Sequence, residues 1–260
     1  MLRHLAIDPA NLARLRGLLA ERAFLLDLDG TIVDIAPTPT EVRASAALLH
    51  TLGRLSQLTG GALALVSGRA LADLDRIVAP LQLPAVGDHG AEFRPLAGAA
   101  ASAGCATPLD ADLKHRLKSV AELDRAILVE DKDYALALHY RQAPQQQSAI
   151  ENAVMAICAE LPPGTVEVLP GKAVVEVKAA GFNKGSAVRK LMQVVPFKGR
   201  RPIYVGDDVT DESAFAVLKE FDGVGLSVGR VLPGASGRFS TPSDVRAWLE
   251  QISKSDGMIE

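Results

Sequence analysis

Short apolar runs alternate with helical stretches along the first and last thirds of the chain. Four of these runs predict β-strands, at 24–28, 62–66, 203–205 and 224–226. Leucines at 12, 15, 18 and 19 share one face of a predicted opening helix that follows Asp8-Pro9. Thr241-Pro242 starts a predicted closing helix that runs through Trp248 and Ile252. Alternating strands and helices are typical of an α/β fold, so we predict a Rossmann-like core with a mostly parallel sheet.

The middle of the chain follows a different pattern. Residues 97–104 consist only of Ala, Gly and Ser, which predicts a linker. Beyond it, the pattern predicts helices at 109–123 and 145–160 and strands at 127–129, 134–139, 166–169 and 173–177. Because these strands look antiparallel, we predict a smaller α/β cap domain at 105–178, inserted between core segments 1–100 and 181–260. Ala179-Ala180-Gly181 would return the chain to the core.

Composition narrows the classes of function. A chain of 260 residues with 48% hydrophobic content can bury a sizeable core. Its net charge of -3 gives no basis for a nucleic-acid or membrane partner. There is no apolar run of about 18 residues and no secretory signal at Met1, and the isolated Cys105 and Cys158 indicate free thiols. We therefore expect a cytoplasmic protein with a small-molecule substrate; its oligomeric state is not determined by the sequence, and a monomer is the expectation.

Two acidic clusters follow predicted strands. Asp27-Leu28-Asp29-Gly30-Thr31 comes after the first strand, and Gly206-Asp207-Asp208-Val209-Thr210-Asp211-Glu212 follows the third. Ligands of open α/β sheets bind beyond the carboxyl ends of the strands, so the clusters should meet there. Four or five carboxylates in one pocket require a divalent cation, and all-oxygen ligands indicate Mg²⁺. A calcium loop of the EF-hand type is disfavoured because its later acidic ligands are absent.

The clusters belong to a larger set of motifs. Together with Ser67-Gly68-Arg69 and Lys184, they resemble the four ordered motifs of the haloacid dehalogenase superfamily of phosphotransferases. Further stretches resemble one family within it, the trehalose-6-phosphate phosphatases: Gly87-Asp88-His89-Gly90-Ala91-Glu92, Glu130-Asp131-Lys132, His139-Tyr140-Arg141, Gly171-Lys172-Ala173-Val174-Val175-Glu176, Phe182-Asn183-Lys184-Gly185 and Thr210-Asp211-Glu212. The resemblance covers nearly the whole chain. It departs at Asp88, where the family more often has Asn.

The resemblance implies an Mg²⁺-dependent phosphoric monoester hydrolase acting on trehalose 6-phosphate, in trehalose biosynthesis. Asp27 would attack phosphorus and form an aspartyl-phosphate, with Asp29 as general acid and base. Ser67 and Lys184 would bind the phosphoryl oxygens. Asp27, the Asp29 backbone carbonyl and Asp207 would ligate the metal, with Asp208 and Asp211 holding its water or orienting Asp207. The alternative for Ser67 is the cap of a helix near Ala70, and the alternative for Asp208 and Glu212 is the cap of the helix from Thr210.

The cap would supply specificity, because a phosphatase core alone cannot select one sugar ester. The predicted substrate-binding residues are Arg69, His89, Glu92, Glu130, Lys132, Arg141, Lys172 and Glu176. Lys172 and Glu176 are four apart on an extended run and therefore share a face. A solvated face with cross-strand ion pairs is the alternative for the cap charges, and surface ion pairs are the alternative for Arg69 and Arg141. Alternative functions are a sucrose-phosphate or mannosyl-3-phosphoglycerate phosphatase, or a catalytically silent sugar-phosphate sensor.

Overall fold

The central strand of the protein is buried on both faces. The structure, a computed structural model, describes residues 18–36, 41–102, 106–171 and 173–254. Along Arg22–Leu26, Phe24 and Leu26 pack in one apolar cluster, and Ala23 and Leu25 pack in another. Such a continuous apolar run is the pattern of a parallel strand that helices cover on both sides.

The described strands, in chain order, are β1 (Arg22–Leu26), β2 (Leu63–Val66), β3 (Ala85–Gly87), β4 (Glu92–Arg94), β5 (Leu128–Asp131), β6 (Ala135–His139), β7 (Val166–Gly171), β8 (Val174–Ala179), β9 (Arg201–Gly206), β10 (Val224–Val228) and β11 (Gly237–Phe239). The described α-helices are α1 (Ala46–Leu58), α2 (Leu71–Val78), α3 (Ala111–Ser119), α4 (Gln147–Ala159), α5 (Lys184–Leu191), α6 (Val209–Val217) and α7 (Pro242–Ser253). Short 3₁₀ turns occur at Leu19–Glu21, Asp88–Gly90, Val120–Leu123, Pro144–Gln146 and Leu218–Phe221.

The chain divides into two compact units. One consists of Met1–Gly104 with Asn183–Glu260, and the other is the inserted segment Cys105–Phe182, which extends past the predicted limit of 178. The first unit holds a seven-stranded sheet in the order β11-β10-β9-β1-β2-β3-β4, in which only the β3/β4 pair is antiparallel. The inserted unit holds a four-stranded antiparallel sheet in the order β5-β6-β8-β7. The predicted α/β class, with a mostly parallel core sheet, is confirmed.

Boundaries differ from prediction at the strand that carries the first motif. The predicted strand 24–28 ends at Leu26, because the Leu28 carbonyl accepts from the amides of Thr31, Ile32 and Val33 and turns the chain. Among the described strands and α-helices, four were not predicted: α1 and the three-residue strands β3, β4 and β11; α2 begins at Leu71, where a helix near Ala70 was expected. The predicted opening helix lies mostly outside the described residues; of its leucines, Leu19 begins a 3₁₀ turn.

The predicted linker at 97–104 is tied to the core as far as it is described. Ser102 forms an antiparallel bridge with Phe93, and its amide and hydroxyl both donate to the Phe93 carbonyl, at 2.9 Å and 3.0 Å. The amide of Gly98 donates to the Gln82 carbonyl at 3.1 Å. The small side chains of this segment therefore do not prevent its backbone from forming hydrogen bonds with the core.

Candidate active site

Three polar loops leave the same edge of the core sheet. β1 runs parallel to both β2 and β9, with Leu26 opposite Leu65 and Val205. Asp27 follows β1, Ser67 follows β2 and Asp207 follows β9. Parallel strands end at a common edge, so this register brings the predicted motifs to the carboxyl end of the sheet, where α/β folds bind ligands.

A buried lysine joins two acids from distant parts of the chain. Nζ of Lys184 lies 2.8 Å from Oδ1 of Asp27 and 2.6 Å from Oδ1 of Asp211, and all three side chains are buried. Lys184 is the first residue of α5, where the helix dipole disfavours a cation. Asn183 caps this helix by accepting from the Ser186 amide at 2.9 Å. The two carboxylates offset the unfavourable position of the ammonium group.

The site carries more negative charge than its lysine neutralises. Burial raises the pKa of Asp27 well above its usual range, and the nearby Asp211 and Asp207 add to this, although Lys184 opposes it. Burial and Asp211 also raise the pKa of Asp207. Burial alone would lower the pKa of Lys184, but Asp27 and Asp211 raise it above its ordinary value, so the lysine is held as a cation.

Asp211 is surrounded by hydrogen-bond donors. Its Oδ1 accepts from Lys184 and from the hydroxyl of Tyr204 at 2.6 Å, and its Oδ2 accepts from the amides of Asp207 and Asp208 at 3.0 Å each. A carboxylate has about four lone-pair positions, and these four donors occupy them. Asp211 therefore anchors the loop that carries Asp207.

The remaining acids provide a cation site of matching chemistry. Oxygens of Asp27, Asp207 and Asp211 lie within 4.8 Å of one another. Thr31 links the first two, with Oγ1 3.1 Å from Asp27 Oδ2 and 3.2 Å from Asp207 Oδ1. Gly30 has a φ of +73°, and a Cβ there would collide with the Asp207 carboxylate. This set of hard oxygen donors fits Mg²⁺, and because Asp211 is already filled by donors, Asp27 and Asp207 are the side chains free to hold it.

The carboxylates of Asp208 and Asp29 form ion pairs with arginines. The Asp208 carboxylate forms an ion pair with Arg230 at 2.6 Å, in which both side chains are more than half exposed. The Asp29 carboxylate is bound by Arg69, with Nε 2.5 Å from Oδ2 and Nη2 2.7 Å from Oδ1. The Asp29 side chain thus remains outside the group of metal-compatible acids, at a partly exposed position.

The Ser67-Gly68-Arg69 loop is held by the loop that follows β3. The amide of His89 donates to the Ser67 carbonyl at 3.0 Å, and the amide of Asp88 donates to the Arg69 carbonyl at 2.9 Å. Asp88 and His89 adopt positive φ values of 44° and 57°, a conformation uncommon for residues other than glycine. Such local strain persists where the surrounding structure determines the backbone closely.

Glu92 contacts the start of α2, where one interpretation had placed the Ser67 hydroxyl. Oε2 of Glu92, predicted to bind substrate, lies 2.5 Å from the Leu71 amide at the start of α2. The Ser67 hydroxyl accepts from the Arg69 amide at 3.2 Å, and the residue preceding α2 is Ala70, which makes no side-chain cap. Glu92 therefore supplies the capping bond that one interpretation had given to Ser67.

In the inserted unit, strand register places two predicted sugar ligands on one face. Glu130 of β5 is opposite Ala137 of β6, which is opposite Glu176 of β8. Residues directly opposite on neighbouring strands project to the same side of a sheet. Glu130 Oε2 lies 3.0 Å from His139 Nε2, and this hydrogen bond lowers the pKa of Glu130. Glu176 Oε1 lies 3.5 Å from Lys132 Nζ.

The other two predicted cap residues are Arg141 and Lys172. Arg141 is exposed in the turn after β6. Lys172 lies outside the described residues, as does Cys105. Cys158 is a free thiol whose pKa is raised by burial.

Three residues of the site have no predicted role. Thr31 belongs to the first motif, and Tyr204 belongs to a predicted apolar strand. Arg230, whose Nε also donates to the Asp207 carbonyl at 3.3 Å, was not considered. The signal for Tyr204 was available, because a tyrosine within a buried strand requires a partner for its hydroxyl.

The fold is shared with BT1666 of Bacteroides thetaiotaomicron, described as a phosphatase of the HAD superfamily, with a TM-score of 0.62, 15% identity, and coverage of 90% of this chain and 94% of that one. The family model described as trehalose-phosphatase matches residues 25–241, and the chain belongs to this family of phosphoric monoester hydrolases.

Relatives agree with this assignment. The chain is 38% identical to the trehalose-6-phosphate phosphatase of Escherichia coli K12, over 90% of this chain and 87% of the relative. It is also 38% identical to a probable trehalose-phosphate phosphatase of Sinorhizobium fredii, over 85% of this chain and 83% of that one. The C-terminal domain of the Candida albicans trehalose-6-phosphate phosphatase has the same fold, with a TM-score of 0.77, 23% identity, and coverage of 95% of this chain and 97% of that one. Among the described helices, none has the length and apolarity needed to cross a bilayer.

Proposed function

We propose that this protein is an Mg²⁺-dependent phosphatase that hydrolyses trehalose 6-phosphate to trehalose and phosphate. The observation that carries the proposal is the buried Asp27, which lies at the edge of the core sheet in contact with Lys184 and bridged to Asp207 by Thr31. A carboxylate placed between a fixed cation and a second acid suits attack on a phosphate monoester.

Asp27 is the proposed nucleophile. Its carboxylate oxygen would form a bond to phosphorus while the bond from phosphorus to the sugar oxygen breaks, which gives an aspartyl-phosphate. Lys184 supports this step because it favours the ionised form of Asp27 and can follow the charge onto the phosphoryl oxygens. Ser67, buried at the same edge of the sheet, would donate its hydroxyl to a phosphoryl oxygen.

Asp29 is the proposed acid and base. Protonated Asp29 would give its proton to the departing sugar oxygen, and the resulting carboxylate would take a proton from the water that hydrolyses the aspartyl-phosphate. Its side chain is one third exposed, unlike that of Asp27, so it is accessible to a leaving group and to water. Arg69 orients this carboxylate through its two short bonds.

Asp27 and Asp207 would hold the Mg²⁺ ion. When bound, the ion would neutralise carboxylate and phosphoryl charge at the reacting centre. Both acids have raised pKa values, so binding a cation here should release protons. Asp211 would keep the Asp207 backbone in place. Asp208 would help to orient Asp207 through Arg230, which pairs with the Asp208 carboxylate and donates to the Asp207 carbonyl.

The inserted unit is proposed to be a cap that selects the sugar. Its candidate sugar-binding residues are Glu130, Lys132, Arg141, Lys172 and Glu176. Carboxylates accept hydrogen bonds from the hydroxyls of a disaccharide, and cationic side chains donate hydrogen bonds to them. Trehalose 6-phosphate is the favoured substrate because the E. coli and S. fredii relatives carry that activity in their names.

Phosphate release from a panel of esters tests the proposal. The panel contains the 6-phosphates of trehalose, glucose and sucrose, mannosyl-3-phosphoglycerate and an aryl phosphate, each with Mg²⁺ and with chelator. We expect Mg²⁺-dependent release that is fastest for trehalose 6-phosphate. Preference for another sugar ester would reassign the substrate, and absence of release from every ester, with retained sugar-phosphate binding, would favour a sensor.

A further inference from the structure

The buried hydroxyl of Tyr204 has no role in the mechanism above. Tyr204 lies on β9, and its ring packs edge-on against Phe215 with centroids 5.4 Å apart and an interplanar angle of 86°. Its hydroxyl donates to Oδ1 of Asp211 at 2.6 Å, and both residues have zero exposure. Phenylalanine would fill the same space without the cost of burying a hydroxyl, so the hydroxyl matters for the bond that it makes.

Asp211 connects the Tyr204 hydroxyl to two parts of the site. The oxygen that accepts from Tyr204 also accepts from Nζ of Lys184 at 2.6 Å, while the other oxygen accepts from the amides of Asp207 and Asp208. Two donors on one oxygen share its charge, so the tyrosine weakens the hold of Asp211 on the lysine. Lys184 can then keep its 2.8 Å bond to Asp27.

Removing the Tyr204 hydroxyl changes the hydrogen bonds that the Asp211 carboxylate accepts. Oδ1 of Asp211 would have the ammonium group as its remaining side-chain donor, and Lys184 would be drawn toward Asp211 and away from Asp27. The Asp211 carboxylate would also lose one of the contacts that set its rotamer, and with it the position of the Asp207 amide would be less well defined.

We propose that Tyr204 is a positioning residue of the phosphoryl-transfer site, acting through Asp211 to hold Lys184 in reach of Asp27 and of a bound phosphoryl group. This inference rests on the proposed function for its catalytic consequence. Its structural part predicts binding of inorganic phosphate, which requires no turnover.

The test uses Tyr204→Phe, which keeps the ring and removes the hydroxyl. We expect the affinity for inorganic phosphate, measured by calorimetry with Mg²⁺ present, to fall about ten-fold or more, as for a lost hydrogen bond to a charged group. The value of kcat/KM should fall by a similar factor on trehalose 6-phosphate and on an aryl phosphate, because Lys184 meets the group that both share. Tyr140→Phe is the matched control: Tyr140 is a buried residue of the inserted unit whose hydroxyl donates to Glu151 at 3.3 Å, and loss of this hydroxyl should leave phosphate affinity unchanged.

Coupling to Lys184 separates positioning from general stability. In a Lys184→Met background, Tyr204→Phe should reduce phosphate affinity much less than in the wild type, because only its smaller effect on the Asp207 loop remains; an undiminished second loss would overturn the proposal. Phe215→Leu loosens the packing of the tyrosine ring but keeps the hydroxyl. If Phe215→Leu weakens phosphate binding as much as Tyr204→Phe, the role of Tyr204 is packing and the proposal fails.

Failure of the proposed function has a different signature. A wild-type protein that binds phosphate but hydrolyses no ester ends the phosphatase assignment, while the comparison of affinities still decides the role of Tyr204. Unchanged phosphate affinity in Tyr204→Phe overturns the positioning role even in an active enzyme, and a wild-type protein that binds no phosphate ends both.

Discussion

Arg69 holds both carboxylate oxygens of Asp29, so the proposed proton donor is engaged at both atoms that could carry the proton. Paired bonds of this kind fix the plane of a carboxylate as well as its distance. In the second step the oriented carboxylate must accept a proton from water. In the first step a protonated Asp29 must replace one of these bonds with a bond to the sugar oxygen.

We therefore expect Asp29→Asn and Arg69→Gln to affect the same step. Each should reduce turnover strongly on trehalose 6-phosphate and much less on an aryl phosphate, whose leaving group needs little protonation. Measurement of kcat on both esters for both variants checks this. Equal losses on the two esters would argue against Asp29 as the acid, and additive losses in the double variant would argue against a shared role.

Asp27→Asn should abolish turnover and preserve the fold. The amide keeps the volume and one acceptor for Lys184 but loses the attacking oxygen, so we expect phosphate release to fall about 1000-fold or more. Circular dichroism and Tm verify that the variant is folded. Steady phosphate release from pure, folded Asp27→Asn protein is incompatible with the proposed nucleophile.

With metal chelated, the stability of the protein should fall as pH rises. Asp27 and Asp207 have raised pKa values in the folded protein. From the ordinary carboxyl pKa of about 4 upward, the folded state holds more protons than the unfolded chain, so the free energy of unfolding decreases until these acids are ionised. Mg²⁺ should reverse the trend, because it binds the ionised form.

Asp207→Asn removes one of these charges. In chelator at pH 7 we expect its Tm to exceed that of the wild type by about 2 to 4 °C, the shift that about 1 kcal/mol gives in a protein of this size. Its pH slope should be shallower, and Mg²⁺ should no longer raise its Tm. Glu122→Gln, which neutralises an exposed acid of the inserted unit, serves as the control. A lower Tm for Asp207→Asn under these conditions contradicts the argument from like charges.

The cap residues should matter for the sugar alone. Replacing Glu130, Lys172 or Glu176 with Ala should lower kcat/KM for trehalose 6-phosphate by about 10- to 150-fold, as for a lost hydrogen bond to a charged group. The aryl phosphate should be hydrolysed at a nearly unchanged rate, and Glu122→Ala should change neither substrate. Parallel losses on both esters would mean that these residues support the fold.

The acids of the site could be named from sequence because strand ends have local signatures, whereas Lys184 was named from the resemblance of the motif set to a known superfamily. Apolar runs that stop at Asp27, Ser67 and Asp207 define one edge of a parallel sheet, and the structure brings Asp27, Lys184, Asp207 and Asp211 together there. The register of Glu130 with Glu176 needed the antiparallel pairing, which the sequence indicated only in outline.

The contacts that were not predicted depend on where the ends of side chains lie in the folded protein. The Tyr204 hydroxyl reaches Asp211 only after α6 packs on β9, and the partner of Glu92 is a helix amide 21 residues earlier. Strands of three residues such as β3 and β4 are too short for an alternating pattern. By contrast, α1 has a readable signature, a Ser45 cap followed by Leu48, Leu52 and Leu55 on one face, and could have been predicted.

The position of β1 between β2 and β9 has a consequence for biosynthesis. Arg22 pairs with Arg201, about 180 residues later, so one edge of the central strand stays open until the last third of the chain has left the ribosome. The inserted unit is contiguous and can acquire its contacts during that interval. A nascent chain that ends before Arg201 carries Asp27 and Lys184 but neither Asp207 nor Asp211, so the repulsion among the acids arises only when the strand that closes the sheet delivers the last two.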